Sequence, residues 1–422
     1  MAGKFIIQGG KKLKGTVEVS GYKNAAGAII AAALLTEEEC VIDNLPLVED
    51  IFNLLKILEQ MGVDISWQGK RKIKIKAGPN INPEKIDFEL VSKSRVPVLL
   101  IGSLISRLPE FEIPHPGGDR IGLRPIITHL KALEQLGVQV SQKGDFYHFQ
   151  RGKSPHNLEI ILKEFSVTAT ENLMMAAALN DGQIIIKGAA CEPQVQDLGN
   201  LLRDMGAKIG GIGTHNISIE GVKKLKGVFH QIIPDLLEAG TFMIAGAITS
   251  GEIEIRRIIP SHLDLFLAKL EEMGVNFQKG PDFIKLGFSA NLKPVKIQAL
   301  PYPGFPTDLL PVIMPLLTQA QGKSLVHDPL YENRFNYIQE LRKMGADIEA
   351  VDPHRAFVFG KTPLHGVRIE SWDIRAGAAL VIAGLIAKGQ TSIENIYQID
   401  RGYERIEEKL QNLGADIQRV DN

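Results

Sequence analysis

An α/β protein of two domains, each assembled from three repeats, is what three features of this sequence predict. A short signature, L-x-x-[ML]-G-[VA], recurs through the whole chain. An Ala-rich apolar run precedes each copy. The length, 422 residues, exceeds what one ordinary core organises.

The signature reads "LEQMGV" at Leu58, "LEQLGV" at Leu133, "LRDMGA" at Leu202, "LEEMGV" at Leu270, "LRKMGA" at Leu341 and "LQNLGA" at Leu410. Its glycines, Gly62, Gly137, Gly206, Gly274, Gly345 and Gly414, are spaced by 75, 69, 68, 71 and 69 residues. A near-constant period of this length marks internal repetition. Each glycine follows a helical pattern with apolar residues three apart, as at Leu58 and Met61. It therefore reads as the left-handed residue that ends a helix, after which the chain leaves as a strand ("VDISW", "VQVSQ", "ADIEA").

The apolar runs include "AAGAIIAAALLTEEECVIDNL", "ENLMMAAALNDGQIIIKGA", "GTFMIAGAITSGEIEIRRI" and "AGAALVIAGLIAKGQTSIENI". A helix that is apolar all round is buried. Each unit is then a buried helix, a strand, a loop, an outer helix and a strand. One unit cannot cover its own buried helix, whereas three such helices walled by sheets make a domain of roughly 200 residues. Two domains of three units are expected, with the cleft between them as the site; an open solenoid is the alternative.

Bulk properties narrow the function. The net charge is -1 and the pI near 6.8, so there is no nucleic-acid footprint and an anion must be held by local groups. Cys40 and Cys191 form neither a metal motif nor a disulfide framework. The opening "MAGKFIIQGGKKLKG" lacks a signal-peptide core. The longest apolar run, Ala25 to Leu35, is too short for a bilayer and reads as a buried helix. A cytoplasmic enzyme with no membrane contact, no metal and no cofactor is expected. No phosphate-loop or dinucleotide fingerprint is present.

Polar residues gather at the starts of the buried helices: Lys23 and Asn24; Lys93 and Arg95; Ser166, Thr168 and Thr170; Asp235 and Glu238; Thr307 and Asp308; Asp373 and Arg375. Ser166, Asp235, Thr307 and Asp373 read as helix caps. Lys23, Arg95 and Arg375 do not, because cations oppose the positive end of a helix dipole. Placed there repeatedly, they point to an anion site with helix N–H donors. A second set of loops, "PHPGGDRIGLRP", "ACEPQVQD", "YENRFNYI" and "IDRGYERI", supplies Asp119, Arg120, Arg124, Glu192, Arg334 and Arg401. Glu404 and Arg405 read as surface charges within a helix, and Trp67 and Trp372 as packing residues. The mixture of cations and carboxylates suits acid–base chemistry on a phosphorylated or carboxylated substrate.

"VSGYKNAA", "GGDRIGLRP", "YPGFPTDL", "YENRF" and "IDRGYERIEEKL" resemble the enolpyruvyl transferases over nearly the whole chain. "YKNAAGAII" lacks the pattern usual in the shikimate branch, which favours the amino-sugar branch. The resemblance implies two inverse α/β barrels, each of three repeats around buried parallel helices. It also implies a discontinuous domain: residues 1–21 plus 234–422, with 22–233 as the other domain carrying the active-site loop 114–125. The implied reaction moves the enolpyruvyl group of phosphoenolpyruvate to the 3-hydroxyl of UDP-N-acetylglucosamine and releases phosphate, a committed step of peptidoglycan precursor synthesis. An acceptor such as shikimate 3-phosphate, or a non-catalytic paralogue that binds sugar nucleotides, are the alternatives. Oligomeric state is not implied.

By the same resemblance Lys23, Arg124 and Arg401 clamp phosphoenolpyruvate. Asn24, Arg95, Arg124, Pro125, Ile126, Ile127, Thr128, Ser166, Val167 and Leu330 hold the nucleotide sugar. Asp308 contacts and deprotonates the 3-hydroxyl, and Arg334 and Asp373 support the site. The position after the glycine pair usually carries cysteine, the proton donor to the methylene carbon and the target of the epoxide fosfomycin. Here it is Asp119, which implies a carboxylic general acid and fosfomycin insensitivity. Ile127, Glu164 and Thr168 also depart from the family pattern, along the expected uridine pocket.

Overall fold

A computed structural model describes every residue except Met1, Ala2, Arg120, Ser154 and Asn422. The chain divides into two compact units. A terminal unit comprises Met1–Ser20, Asp119–Leu123 and Pro234–Asn422, and an internal unit comprises Gly21–Gly118 and Arg124–Ile233. The loop 114–125, expected wholly within the internal part, is thus split, its central five residues grouping with the terminal unit.

Among the described residues each unit contains three small sheets. One pattern underlies five of the six, the three-stranded sheet around Phe146–Arg151 being antiparallel throughout. In the internal unit, Asn157–Ile161 runs parallel to Gln183–Lys187. The latter is antiparallel to Asn216–Glu220, which is antiparallel to Lys208–Gly210. The helix Val167–Ala178 makes the crossover between the two parallel strands. Strands alternate: in Gln183–Lys187, Ile184 and Ile186 are fully buried and the ends face outward. The terminal unit repeats the pattern with a twist of connectivity. Strand Lys4–Gln8 lies between Gln390–Glu394 and Asp416–Val420, antiparallel to both, and Lys14–Glu18 pairs with Glu252–Arg256.

The apolar runs form the inner helices. They are Lys23–Ala32, Leu100–Arg107 and Val167–Ala178 in one unit, and Leu236–Ile248, Leu310–Leu317 and Ile374–Ile386 in the other. Every residue of Leu236–Ile248 is buried, so dispersion and water exclusion act around its whole circumference. Outer helices are amphipathic: Glu49–Gln60 buries Ile51, Leu54, Leu55 and Leu58, one face of a 3.6-residue period.

The signature glycines end the outer helices for a local reason. All six have φ between 83° and 107°, a region costly for any residue with a Cβ. At Gly62 the amide donates to Glu59 O at 3.0 Å and the Val63 amide to Leu58 O at 3.1 Å. The same bond pair recurs at Gly206, Gly274, Gly345 and Gly414, satisfying carbonyls that the helix leaves open.

Two sequence readings fail at this level. Trp67 and Trp372 are 47% and 50% exposed. Trp67 lies on a largely exposed edge strand, Asp64–Gly69. Glu404 is neither helical nor a surface charge. It is buried and accepts from Ser20 Oγ at 3.2 Å, while Arg405 adopts φ 44° and starts the helix Ile406–Asn412.

Candidate active site

The terminal unit gathers most of the charge. Asp308 sits in the single turn Thr307–Leu309 that leads into the inner helix Leu310–Leu317. Arg334, 1% exposed, donates through Nη2 to Asp308 Oδ1 at 2.5 Å and to Thr307 O at 3.0 Å. Arg375 donates from Nε to Asp308 Oδ2 at 3.3 Å. Its guanidinium lies 5.1 Å from the centre of the Tyr403 ring, whose hydroxyl pairs with Thr241 Oγ1 at 2.8 Å. Burial alone would push the Asp308 carboxyl up. The guanidiniums of Arg334 and Arg375 outweigh it and hold the carboxyl well below the usual carboxylate range. Burial likewise opposes the charge on Arg334, but the carboxylates of Asp308, Asp373 and Asp328 more than offset it.

Of the three caps expected in this unit, two are confirmed and one is not. Asp373 accepts from Arg375 N and Ala376 N at 2.9 and 2.8 Å. Asp235 accepts from Leu237 N and Glu238 N at 2.7 and 3.1 Å. Thr307 caps nothing; its Oγ1 donates to the buried Asp328 Oδ2 at 2.6 Å, whose other oxygen accepts from Leu330 N at 2.9 Å. Thr307 and Asp328 therefore brace the turn that carries Asp308. In the internal unit, Ser166 is the remaining cap of the four, accepting from Ala169 N at 3.3 Å.

Asp119 reaches Arg401. The Arg401 Nη1 donates to Asp119 Oδ1 at 2.5 Å and to Gln398 Oε1 at 2.9 Å. The arginine side chain is 5% exposed and the carboxylate 17%. A carboxylate facing a guanidinium at hydrogen-bond distance forms a charge-assisted pair. Asp119 also acts on Asp373. Burial pushes the Asp373 carboxyl up, Arg334 pulls it down, and the Asp119 charge pushes it up again. The terminal unit thus brings Asp119, Arg401, Asp308, Arg334, Arg375 and Asp373 into one electrostatic group.

The internal unit places its own candidates. Lys23, at the first position of the helix Lys23–Ala32, is buried and donates to Asp50 Oδ2 at 2.8 Å. The cation that opposes the helix dipole is therefore neutralised by a carboxylate from the first turn of the helix Glu49–Gln60. Asn24 Nδ2 donates to the Tyr22 hydroxyl at 3.3 Å. Arg95 Nη2 donates to Pro125 O at 3.4 Å, and Arg124 adopts φ 46°. Ile126 is buried and caps the helix Ile127–Gln135, while Ile127 is 53% exposed. Val167 opens the helix that Ser166 caps. The departures from the family pattern bond to this helix start. Thr128 Oγ1 donates to Glu164, and His129 Nε2 pairs with Thr168 Oγ1 at 2.8 Å. Burial first, and the Arg95 charge second, push His129 down to about 3, so it stays neutral there. A cavity of about 100 Å³ beside Ile127 and Thr128 continues to Lys163.

The glycine pair has a structural reason. A Cβ at Gly117 would lie 1.7 Å from Ser92 O, so only glycine fits that close approach. Arg120 lies outside the described residues. Asp50, Asp328, Gln398 and Tyr403 escaped the sequence reading because each supports a functional side chain from a distant element without a motif of its own.

Asp235 offers a test of buried charge. Burial pushes its carboxyl up to about 6, against the pull of Arg375. Its folded value exceeds its unfolded one, so stability falls as pH rises from about 4 to 6 and is then flat. Asn retains the capping geometry. Asp235→Asn is expected to raise stability on the order of 2 kcal/mol at neutral pH. Thermal melts should show this gain shrinking toward pH 4.

A sequence profile of EPSP synthase (3-phosphoshikimate 1-carboxyvinyltransferase) matches residues 7–410. A UDP-N-acetylglucosamine 1-carboxyvinyltransferase of Koribacter versatilis is 45% identical over 99% of this chain and 96% of its own length. UDP-N-acetylglucosamine 1-carboxyvinyltransferase 1 of Carboxydothermus hydrogenoformans is 46% identical over 99% and 98%. Among solved structures, the enolpyruvyl transferase NikO from Streptomyces tendae superposes with a TM-score of 0.90 at 24% identity, covering 99% of each chain. EPSP synthase from Acinetobacter baumannii superposes with 0.73 at 20%, covering 99% of this chain and all of that one. With a profile match across almost its whole length and relatives near 45% identity, this chain belongs to the EPSP synthase family of carboxyvinyltransferases.

Proposed function

We propose that the protein transfers the enolpyruvyl group of phosphoenolpyruvate to the 3-hydroxyl of UDP-N-acetylglucosamine, with release of phosphate, in the synthesis of peptidoglycan precursors. The observation that carries the mechanism is the Asp119–Arg401 pair beside the Asp308 group. Phosphoenolpyruvate is a carboxylate and a phosphate, and Arg401 is the cation that Asp119 occupies. When the substrate takes Arg401, Asp119 loses its counter-charge and gains an anionic neighbour. Both changes raise its affinity for a proton. Asp119 then donates that proton to the methylene carbon, C2 becomes cationic, and the acceptor hydroxyl adds to it. Cleavage of the C2–O bond releases phosphate, and return of a methyl proton to the Asp119 carboxylate, left ionised by the first step, completes the exchange. Lys23 and Arg124 are the further cations assigned to phosphoenolpyruvate.

Asp308, weakened as a base by two arginines, suits a hydroxyl that becomes acidic only as it bonds to a cationic carbon. It orients the hydroxyl first and takes its proton late. Asn24, Arg95, Pro125 to Thr128, Ser166, Val167 and Leu330 are the proposed acceptor contacts. No helix among the described residues is long and apolar enough to cross a membrane.

Phosphate release measured with phosphoenolpyruvate and each acceptor in turn tests the assignment. Release is expected with UDP-N-acetylglucosamine and not with shikimate 3-phosphate. The reverse would overturn the acceptor, and no release with either would overturn the activity.

A further inference from the structure

The segment Tyr331–Phe335, "YENRF", touches one candidate proton-transfer carboxylate, Asp308, and the stretch of chain that follows the other, Asp119. Arg334 holds Asp308. Its neighbours hold residues two and four positions after Asp119: Glu332 Oε1 accepts from Leu123 N at 2.8 Å, and Asn333 N donates to Ile121 O at 3.1 Å. Gly122 lies between these two bonds with φ 153°, and a Cβ there would stand 2.5 Å from Glu332 Oε2. The carboxylate therefore rests directly against the bare backbone of Gly122. The Leu123 amide and the backbone of Glu332 itself draw the Glu332 carboxyl below its ordinary value despite its exposure.

An exposed glutamate next to a buried arginine would ordinarily be a solvated charge. Three features set this one apart: it answers an amide 209 positions away, it excludes any side chain from Gly122, and its neighbour repeats the grip two residues upstream. With Ile121 buried and Asp119 on Arg401, residues 119–123 are tied to the terminal unit at both ends.

We propose that Glu332 is a positioning residue: seated on Gly122 and accepting the Leu123 amide, it presents Asp119 at Arg401, so that one five-residue segment sets both proton-transfer carboxylates. The inference rests on the reading of Asp119 as the acid, and its test does not.

In an Asp119→Cys background, Cys40 and Cys191 are buried, so iodoacetamide reports on position 119. Adding Glu332→Ala should speed alkylation about fivefold, the loss of one hydrogen bond's worth of restraint. Glu332→Gln, whose amide oxygen still accepts the Leu123 N–H, should leave the rate within about twofold of the parent. Gly122→Ala, which displaces the carboxylate, should match Glu332→Ala. In the otherwise native chain, Glu332→Ala should lower kcat about tenfold with the acceptor KM unchanged, and Glu332→Gln should restore most of it. Melting temperatures of the Glu332 variants should stay within about 2 °C of native, as for an exposed residue. Equal alkylation rates across the series, or an unchanged kcat in Glu332→Ala where Asp119→Asn is inactive, would overturn the positioning role. Faster alkylation together with a fully active Asp119→Asn would leave the restraint standing and refute the acid role alone.

Discussion

Asp119→Asn is expected to lower kcat by about 10²–10⁴, the usual contribution of a positioned general acid, with little change in fold. The amide is nearly isosteric and can still accept from Arg401, so substrate binding should survive while proton delivery does not. A steady-state phosphate-release assay gives kcat and KM together, and a loss confined to KM would contradict the role. The reciprocal substitution is as informative. Asp119→Cys places a thiol where the family pattern usually has one, and it should retain turnover and gain covalent inactivation by fosfomycin. A carboxylate is a poor nucleophile toward an epoxide compared with a thiolate, so the native chain should resist.

The second large effect is at Asp308. Asp308→Asn should cost about 10²–10⁴ in kcat through loss of the proton acceptor. It should also cost about 1–3 kcal/mol of stability, because the buried Arg334 and Arg375 lose charge-assisted hydrogen bonds. The pH dependence follows from the direction of the shift. The folded carboxyl lies below its unfolded value, so its stabilisation is present above pH ~4 and is lost only as pH falls through the lower folded value. Asp308 therefore contributes no acid limb to the native rate profile above pH ~4, and any limb found there belongs to another group. Chemical denaturation of both proteins at pH 7 and pH 3 checks the first point; the stability difference should narrow at the lower pH.

Much of the architecture is written locally. A helix that must turn out through a left-handed residue needs glycine at one position, and that demand repeats at every outer helix from Gly62 to Gly414. Helices without a polar face announce their burial, as Leu236–Ile248 does. Connectivity is different. "KFIIQ" alternates as a strand should, but nothing in it names Gln390–Glu394 and Asp416–Val420 as partners nearly four hundred residues away. That pairing entered only through the family resemblance.

The site divides along the same line. Lys23, Asp119, Asp308, Arg334 and Arg401 stand in recognisable motifs. What they touch does not. Asp50 reads as an acidic residue suited to a helix N-terminus, yet it neutralises Lys23. Thr307 has the chemistry of a cap, but a buried carboxylate at Asp328 outbids the helix amides for its hydroxyl. Glu404 looks like a surface charge until the chain brings Ser20 to it. In each case the deciding partner is remote in sequence, and residue type alone favours the commoner local role. The carboxylate between glycines and arginines belongs to the same class: its meaning depends on Arg401, 282 positions away.

The central claim is that phosphoenolpyruvate displaces Asp119 from Arg401 and thereby protonates it. Calorimetric titration of phosphoenolpyruvate, with a 3-deoxy acceptor analogue present and in buffers of differing ionisation enthalpy, counts the protons taken up on binding. Protonation of the ligand itself contributes equally to the native protein and to Asp119→Asn, so the difference isolates the carboxyl. The native protein should take up about one proton more than Asp119→Asn at neutral pH; equal uptake by the two would contradict the claim.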